Sequence, residues 1–159
     1  MTEIKETEYG EFCTAKLKFI VGEYATYNRY YIIHIRRADM EVTFGLQEFC
    51  CGILPQVDVF EDKILIGAGE TFRVCGFAGN RIKQYPIGSA FYQFLVDKEH
   101  VLVIGEADVL LLGKAFQIVW HRRFNEIIDL RGIGNDCIEL IDYNQKPIKL
   151  DFFSGENIR

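Results

Sequence analysis

The side chains of this 159-residue chain best suited to metal or nucleophilic chemistry are three histidines, His34, His100 and His121, and five cysteines, Cys13, Cys50, Cys51, Cys75 and Cys137. A metal centre needs ligands clustered at fixed spacing. These histidines lie far apart, with no His-x-His and no nearby carboxylate pair. The cysteines are odd in number and irregular in spacing, which fits neither a disulfide framework nor a zinc knuckle. Cys50-Cys51 is the most unusual pair. A vicinal disulfide strains the peptide between its cysteines, and a nucleophilic thiol needs a base and an oxyanion cradle. No linear motif supplies either, so both read as buried structural thiols. Neither a metal nor a cofactor is expected.

Gly67-x-Gly69 has the look of a phosphate-cradling loop, but such loops run into a helix whose N-terminus holds the anion. A strand pattern follows here, so the glycines read as a hairpin turn. Glu70 and Asp108 recur at matching places in a sequence repeat, which argues for turn chemistry rather than a catalytic carboxylate pair. His100 ends the polar run Asp97-Lys98-Glu99-His100 and reads as a solvated loop residue.

Two patches suit recognition better than catalysis. The first is Tyr24–Tyr31, with Tyr24, Tyr27, Asn28, Arg29 and Tyr30 as candidate contact residues. Tyrosine, arginine and asparagine on a connecting loop supply rigid contact area and adaptable hydrogen bonds. The alternative is a hairpin whose rings pack on cross-strand neighbours. The second is Trp120–Phe124, in which His121, Arg122 and Arg123 form a cationic aromatic turn suited to an acidic partner. Alternatively Trp120 belongs to the core, in register with Phe116 and Ile118, and the arginines sit in water.

Short strands must position these residues. Ala15, Leu17, Phe19 and Val21 alternate with Lys16 and Lys18, and Tyr31, Ile33 and Ile35 alternate with Ile32, His34 and Arg36. That period of two marks half-buried strands. Residues 1–11 are polar and read as a frayed lead-in. A turn at Ala38-Asp39 and a return strand at Glu41–Phe44 complete an N-terminal β-meander over 1–50. No segment carries a sustained helical apolar face.

Ile64-Leu65-Ile66-Gly67 and Leu102-Val103-Ile104-Gly105 superpose at a shift of 38 positions, the distance from Gly67 to Gly105. Each is followed by a hairpin and a second apolar strand. A weaker copy begins at Leu140-Ile141-Asp142-Tyr143. Further strands are expected at Val57–Phe60, Arg81–Tyr85, Phe94–Asp97, Phe116–Trp120 and Ile127–Leu130. Stacked modules of this kind bury their faces only against one another. The middle copy is apolar on both faces and the last alternates, so the middle should be sandwiched and the last should be an end cap.

An apolar triplet, a glycine, a hairpin and an alternating strand, as in 64–74 and 102–112, resemble the blades of a β-propeller. No Trp-Asp dipeptide or kelch-type double glycine points to a named family. The resemblance implies an all-β fold of stacked antiparallel sheets over residues 56–153, arranged as a partial propeller or a β-sandwich within one domain spanning 1–159. A formal charge of −5 disfavours nucleic acid or an anionic membrane. Free thiols and the lack of an apolar leader suggest the cytoplasm. The expected function is a non-enzymatic protein-interaction module with another protein as partner, in one version an inhibitor or immunity-type protein neutralising a basic partner. The alternative is a small enzyme or small-molecule binder with a site between modules.

Overall fold

Two-residue alternation and tight turns become strands nearly throughout, with 61% strand and 4% helix among the described residues. The computed structural model describes residues 1–23, 28–49 and 52–158. The chain divides into two compact units, Met1–Tyr85 and Pro86–Arg159. The first contains β1 (Thr2–Thr7), α1 (Tyr9–Thr14), β2 (Ile20–Val21), β3 (Asn28–Arg37), β4 (Met40–Phe49), β5 (Gln56–Phe60), β6 (Lys63–Ala68) and β7 (Thr71–Gly76), and β8 (Arg81–Pro86) closes it. The second contains β9 (Phe91–Val96), β10 (His100–Gly105), β11 (Asp108–Gly113), β12 (Ile118–Arg123), β13 (Ile128–Ile133), β14 (Cys137–Asp142) and β15 (Pro147–Asp151).

The repeat read from the sequence is the central hairpin of successive sheets. Strands β5-β6-β7-β8 and β9-β10-β11-β12 follow chain order, and the last sheet has three strands, β13-β14-β15. The chain is all-β with propeller-like, blade-type sheets. The N-terminal sheet is ordered β1-β3-β4-β2, with β2 parallel to β4, and so differs from a meander.

In the first unit Tyr31, Ile33 and Ile35 of β3 and Val42, Phe44 and Leu46 of β4 pack with Val57, Ile64, Ile66, Ala68 and Cys75. The β3 face is the one its alternation predicts. Ala38 turns the chain between β3 and β4 at φ 49°. In the second unit Leu102, Ile104, Val109 and Leu111 pack against Ile138, Leu140 and Leu150. Every position of β11 is buried, whereas β15 alternates, in keeping with the doubly apolar middle repeat and the half-wet last one.

Several expectations are corrected. Residues 2–7 form a strand paired to β3, from Thr2 opposite Ile35 to Thr7 opposite Tyr30. This edge strand is largely exposed and held by backbone pairing, so it carries no apolar signal. Residues 9–14 form one short helix, anchored where Phe12 lies against Gly45. A Cβ on that glycine would come within 2.6 Å of the Phe12 ring. The expected strand at Ala15–Val21 bends at Ala15 and Lys18 and keeps its predicted faces, but only Ile20–Val21 is laddered. Its neighbours reach β4 through single bonds, Lys18 N to Thr43 O and Gly45 N to Phe19 O. Phe116 lies at φ 57°, a turn conformation, which delays β12 to Ile118. Among the described residues no helix is long and apolar enough to cross a membrane.

Burial orders the expected costs of truncation. Leu111→Ala removes a fully buried side chain and should destabilise by about 2–5 kcal/mol through lost transfer energy and a residual cavity. Ile148→Ala, at the partly buried margin of the same cluster, should cost less because solvent fills its place. Denaturant melts of the two variants test that order.

Candidate functional site

Strand β12 carries the second sequence patch, and its period of two divides the patch between opposite faces. On one face His121 and Arg123 converge on Asp108, which is 3% exposed. His121 Nε2 lies 2.8 Å from Asp108 Oδ1, and Arg123 Nε donates to the same oxygen at 3.2 Å. Ser89 Oγ donates to Oδ2 at 3.0 Å and accepts from the Ala107 backbone N–H. One carboxylate therefore fastens the β8–β9 connection and β12 to the β10–β11 hairpin. Gly105 permits this approach, since a Cβ there would sit 2.5 Å from Ile87 and 3.0 Å from Ser89 Oγ.

On the other face Trp120 Nε1 donates to the Phe152 carbonyl at 2.9 Å and Arg122 Nη1 to the Gly155 carbonyl at 2.8 Å. Gly155, at φ 69°, leaves no room for a Cβ beside the Trp120 indole. Trp120 is thus packed at the edge of the core, while its expected core neighbour Ile118 is 54% exposed. The Arg122 guanidinium lies over the Phe124 ring, 5.1 Å from its centroid, at a range where cation and ring attract.

Arg122 and Phe124 form one wall of an open hollow of about 390 Å³. Lys146, Ile148 and Lys149 of the β14–β15 hairpin, with Ile158 beyond it, form the other. Glu139 stands 3.3 Å from Lys149 and holds its ammonium pKa above the ordinary value. Among the described residues Arg122 and Lys146 have no carboxylate partner. Asp142 also lines the hollow, but its Oδ1 already accepts the Lys146 backbone N–H at 2.8 Å. The hollow thus brings Phe124, Pro147, Ile148 and Ile158 together with Arg122 and Lys146.

The first patch is placed in part. Tyr24 and Tyr27 lie outside the described residues, as do Cys50 and Cys51. Asn28 starts β3 and donates through Nδ2 to the Glu23 carbonyl at 2.7 Å. Arg29 stands 3.4 Å from Glu6, and the Tyr30 ring lies between those of Tyr9 and Phe12, each centroid 5.1 Å away. These residues therefore lie on a strand and touch cross-strand and helical neighbours.

The histidines occupy three separate settings. His34 bonds Thr43 and faces Glu41, and His121 joins Asp108. His100 is a strand residue packed edge-on against Phe152 and Phe153, not a solvated loop residue. The loop before it is ordered by Asp97, whose Oδ1 accepts from the N–H groups of Glu99 and His100. Burial alone would raise the Asp97 pKa, but those N–H groups outweigh it and hold the carboxyl below its ordinary value. Among the described residues no group of three or more histidine, cysteine or acidic side chains is arranged to hold a metal ion.

Sequence reasoning missed the Asp108 network by reading that acid as turn chemistry. The available signal was the spacing of His121 and Arg123, two apart on one strand face, opposite a hairpin acid. It also missed Lys146, Lys149 and Ile158, which only the fold brings beside Arg122.

No family model and no curated protein matches the chain. Among solved structures it is similar to the WD40 domain of Neurospora crassa Pan2, at 20% identity and a TM-score of 0.50, over 66% of this chain and 36% of that one. The chain thus spans little over a third of that domain. A protein of unknown function from Bacteroides caccae also matches, at 13% identity and a TM-score of 0.46, over 82% of this chain and 61% of that one. The Pan2 likeness concerns the fold alone and agrees with the blade-type sheets described above.

Asp108→Ala leaves an arginine, a histidine and a serine without their shared acceptor. The Arg123 side chain is 66% exposed and regains water, so the loss of these bonds should cost about 1–3 kcal/mol. His121→Ala should cost less, because Arg123 and Ser89 still pair the carboxylate. Chemical denaturation of both variants checks the order.

Proposed function

We propose that the protein is a protein-interaction module and that the hollow between Arg122 and Lys146 is part of its contact surface. The carrying observation is that two cations with no carboxylate partner among the described residues stand with Phe124, Ile148 and Ile158 around one depression. Such a surface suits a protein segment that offers an apolar side chain beside an acidic one. Arginine over an aromatic ring is already ordered, so less side-chain freedom is lost on binding. The local sign opposes the formal charge of −5, which favours orientation of an acidic segment toward this hollow and away from the rest of the surface.

The net charge supports a second version, an inhibitor or immunity-type protein meeting a basic partner through its acidic surface. A cytoplasmic setting with reduced thiols belongs to both versions. They differ in the face used and in the sign of the partner's contact residues.

The test compares the intact chain with the double variant Arg122→Glu/Lys146→Glu, using affinity purification from the native cell and then calorimetry with the purified companion. The expected result is a stoichiometric companion whose affinity falls by about thirtyfold or more in the variant, since truncating one anchor often removes about 2 kcal/mol. The thermal melt should fall only slightly, since Arg122 gives up one bond to the Gly155 carbonyl and one ring contact. Equal affinity of the two proteins would exclude the hollow, and a companion rich in basic contacts would favour the inhibitor version.

A further inference from the structure

A second depression, in the first unit, has the features of a small-molecule site. It is a cavity of about 220 Å³ between β2 and the β7–β8 hairpin. Arg73 of β7 lines it and is only 4% exposed. Its Nη1 lies 2.5 Å from Glu48 Oε2 of β4, yet neither atom has a hydrogen-bond partner of acceptable geometry. A guanidinium has five N–H donors, and a buried one left without an acceptor, as at Nη1 here, is costly. The ion pair supplies charge balance here. It does not supply the acceptors.

The remaining walls define what such an acceptor belongs to. Arg81 and Glu23 line the same cavity, with Ile20 and Val21 giving an apolar side. Arg81 is exposed and already donates to Gln84 Oε1 at 2.8 Å. Glu48 neutralises Arg73 without being a wall residue, so guanidinium and carboxylate groups are equal in number at the site. A ligand of zero net charge that carries both signs preserves this balance, and a dianion such as phosphate does not. Guanidinium edges match a carboxylate geometrically, and Glu23 offers an acceptor to an ammonium group. Cys75, also on the wall, has its thiol pKa pushed up by burial more than Arg73 and Arg81 lower it, so the thiol stays protonated and the contact is non-covalent.

We infer that this cavity binds a small zwitterion of the α-amino-acid class, with its carboxylate on Arg73 and Arg81, its ammonium toward Glu23 and its side chain against Ile20 and Val21. The site is separate from the hollow at Arg122, and each can fail without the other.

The experiment titrates the full chain by calorimetry with each common L-amino acid, and with acetate, methylamine and inorganic phosphate as single-charge and dianion probes. At least one amino acid should bind with one-to-one stoichiometry, and the three simpler ions should bind at least about tenfold more weakly, since each forfeits a charged contact. Arg81→Gln and Glu23→Gln alter exposed side chains and leave the Arg73–Glu48 pair in place, so they test the site without threatening the fold. Each should weaken the bound amino acid by about tenfold or more. Failure of every amino acid to bind would overturn the inference. So would phosphate binding as tightly as the best amino acid, or binding unchanged in both variants.

Discussion

Asp108 is held by Ser89, His121 and Arg123, and the placement of every other side chain on β12 follows from that attachment. An ionised carboxylate inside a sheet is tolerable only when charge and hydrogen bonds both reach it. Three donors from two other segments meet that demand, which leaves β12 little freedom to slip. With His121 and Arg123 committed to one face, Trp120 and Arg122 are committed to the other. The hollow beside Arg122 is therefore a consequence of how a buried acid is satisfied on the opposite side of the strand.

The first unit meets the converse requirement with a buried cation. Arg73 of β7 finds Glu48 on β4, so the ion pair joins two sheets rather than two strands of one. Glu48 reaches it by passing over Gly69, where a Cβ would lie 2.7 Å from Glu48 Cγ. At φ 58° that glycine is also the turn residue of the β6–β7 hairpin. One position thus serves the turn and the ion pair together. A residue with a side chain there would strain the backbone and displace the carboxylate.

Much of this fold is legible in the sequence because apolar burial imposes a period. Tyr31, Ile33 and Ile35 point inward as their alternation requires, and the unbroken apolar runs at 101–104 and 109–112 are the strands buried on both faces. What escaped had no apolar period to show. Strand β1 is a largely exposed edge, and α1 is a single helix of six residues resting on Phe12. Gly105 illustrates a subtler failure. Its place after an apolar triplet marks the hairpin that follows, whereas its use is the close passage of Ile87 and Ser89. That requirement arises from a segment distant in sequence, so no local reading contains it. The candidate hollow was half legible for the same reason: Arg122 and Phe124 stand in one patch, but Lys146 and Ile158 come from later turns.

The division of β12 also separates stability from recognition within five consecutive residues. Arg122 and Arg123 are chemically identical neighbours, yet Arg123 pairs with Asp108 and Arg122 has no carboxylate partner among the described residues. Arg123 is tied to folding through a buried acceptor that Ser89 and His121 share, although its own side chain is 66% exposed. Arg122 is tied down by a carbonyl and a ring, which order the guanidinium without neutralising it. A charge that is ordered but not neutralised keeps its field available to a partner and loses little entropy on contact. In the first unit the same logic runs through Arg73 and Arg81: the first arginine is buried and neutralised by Glu48, and the second is exposed at the mouth of the cavity. Both units thus set a buried charge, Asp108 in one and Arg73 in the other, beside an arginine that the fixed strands present.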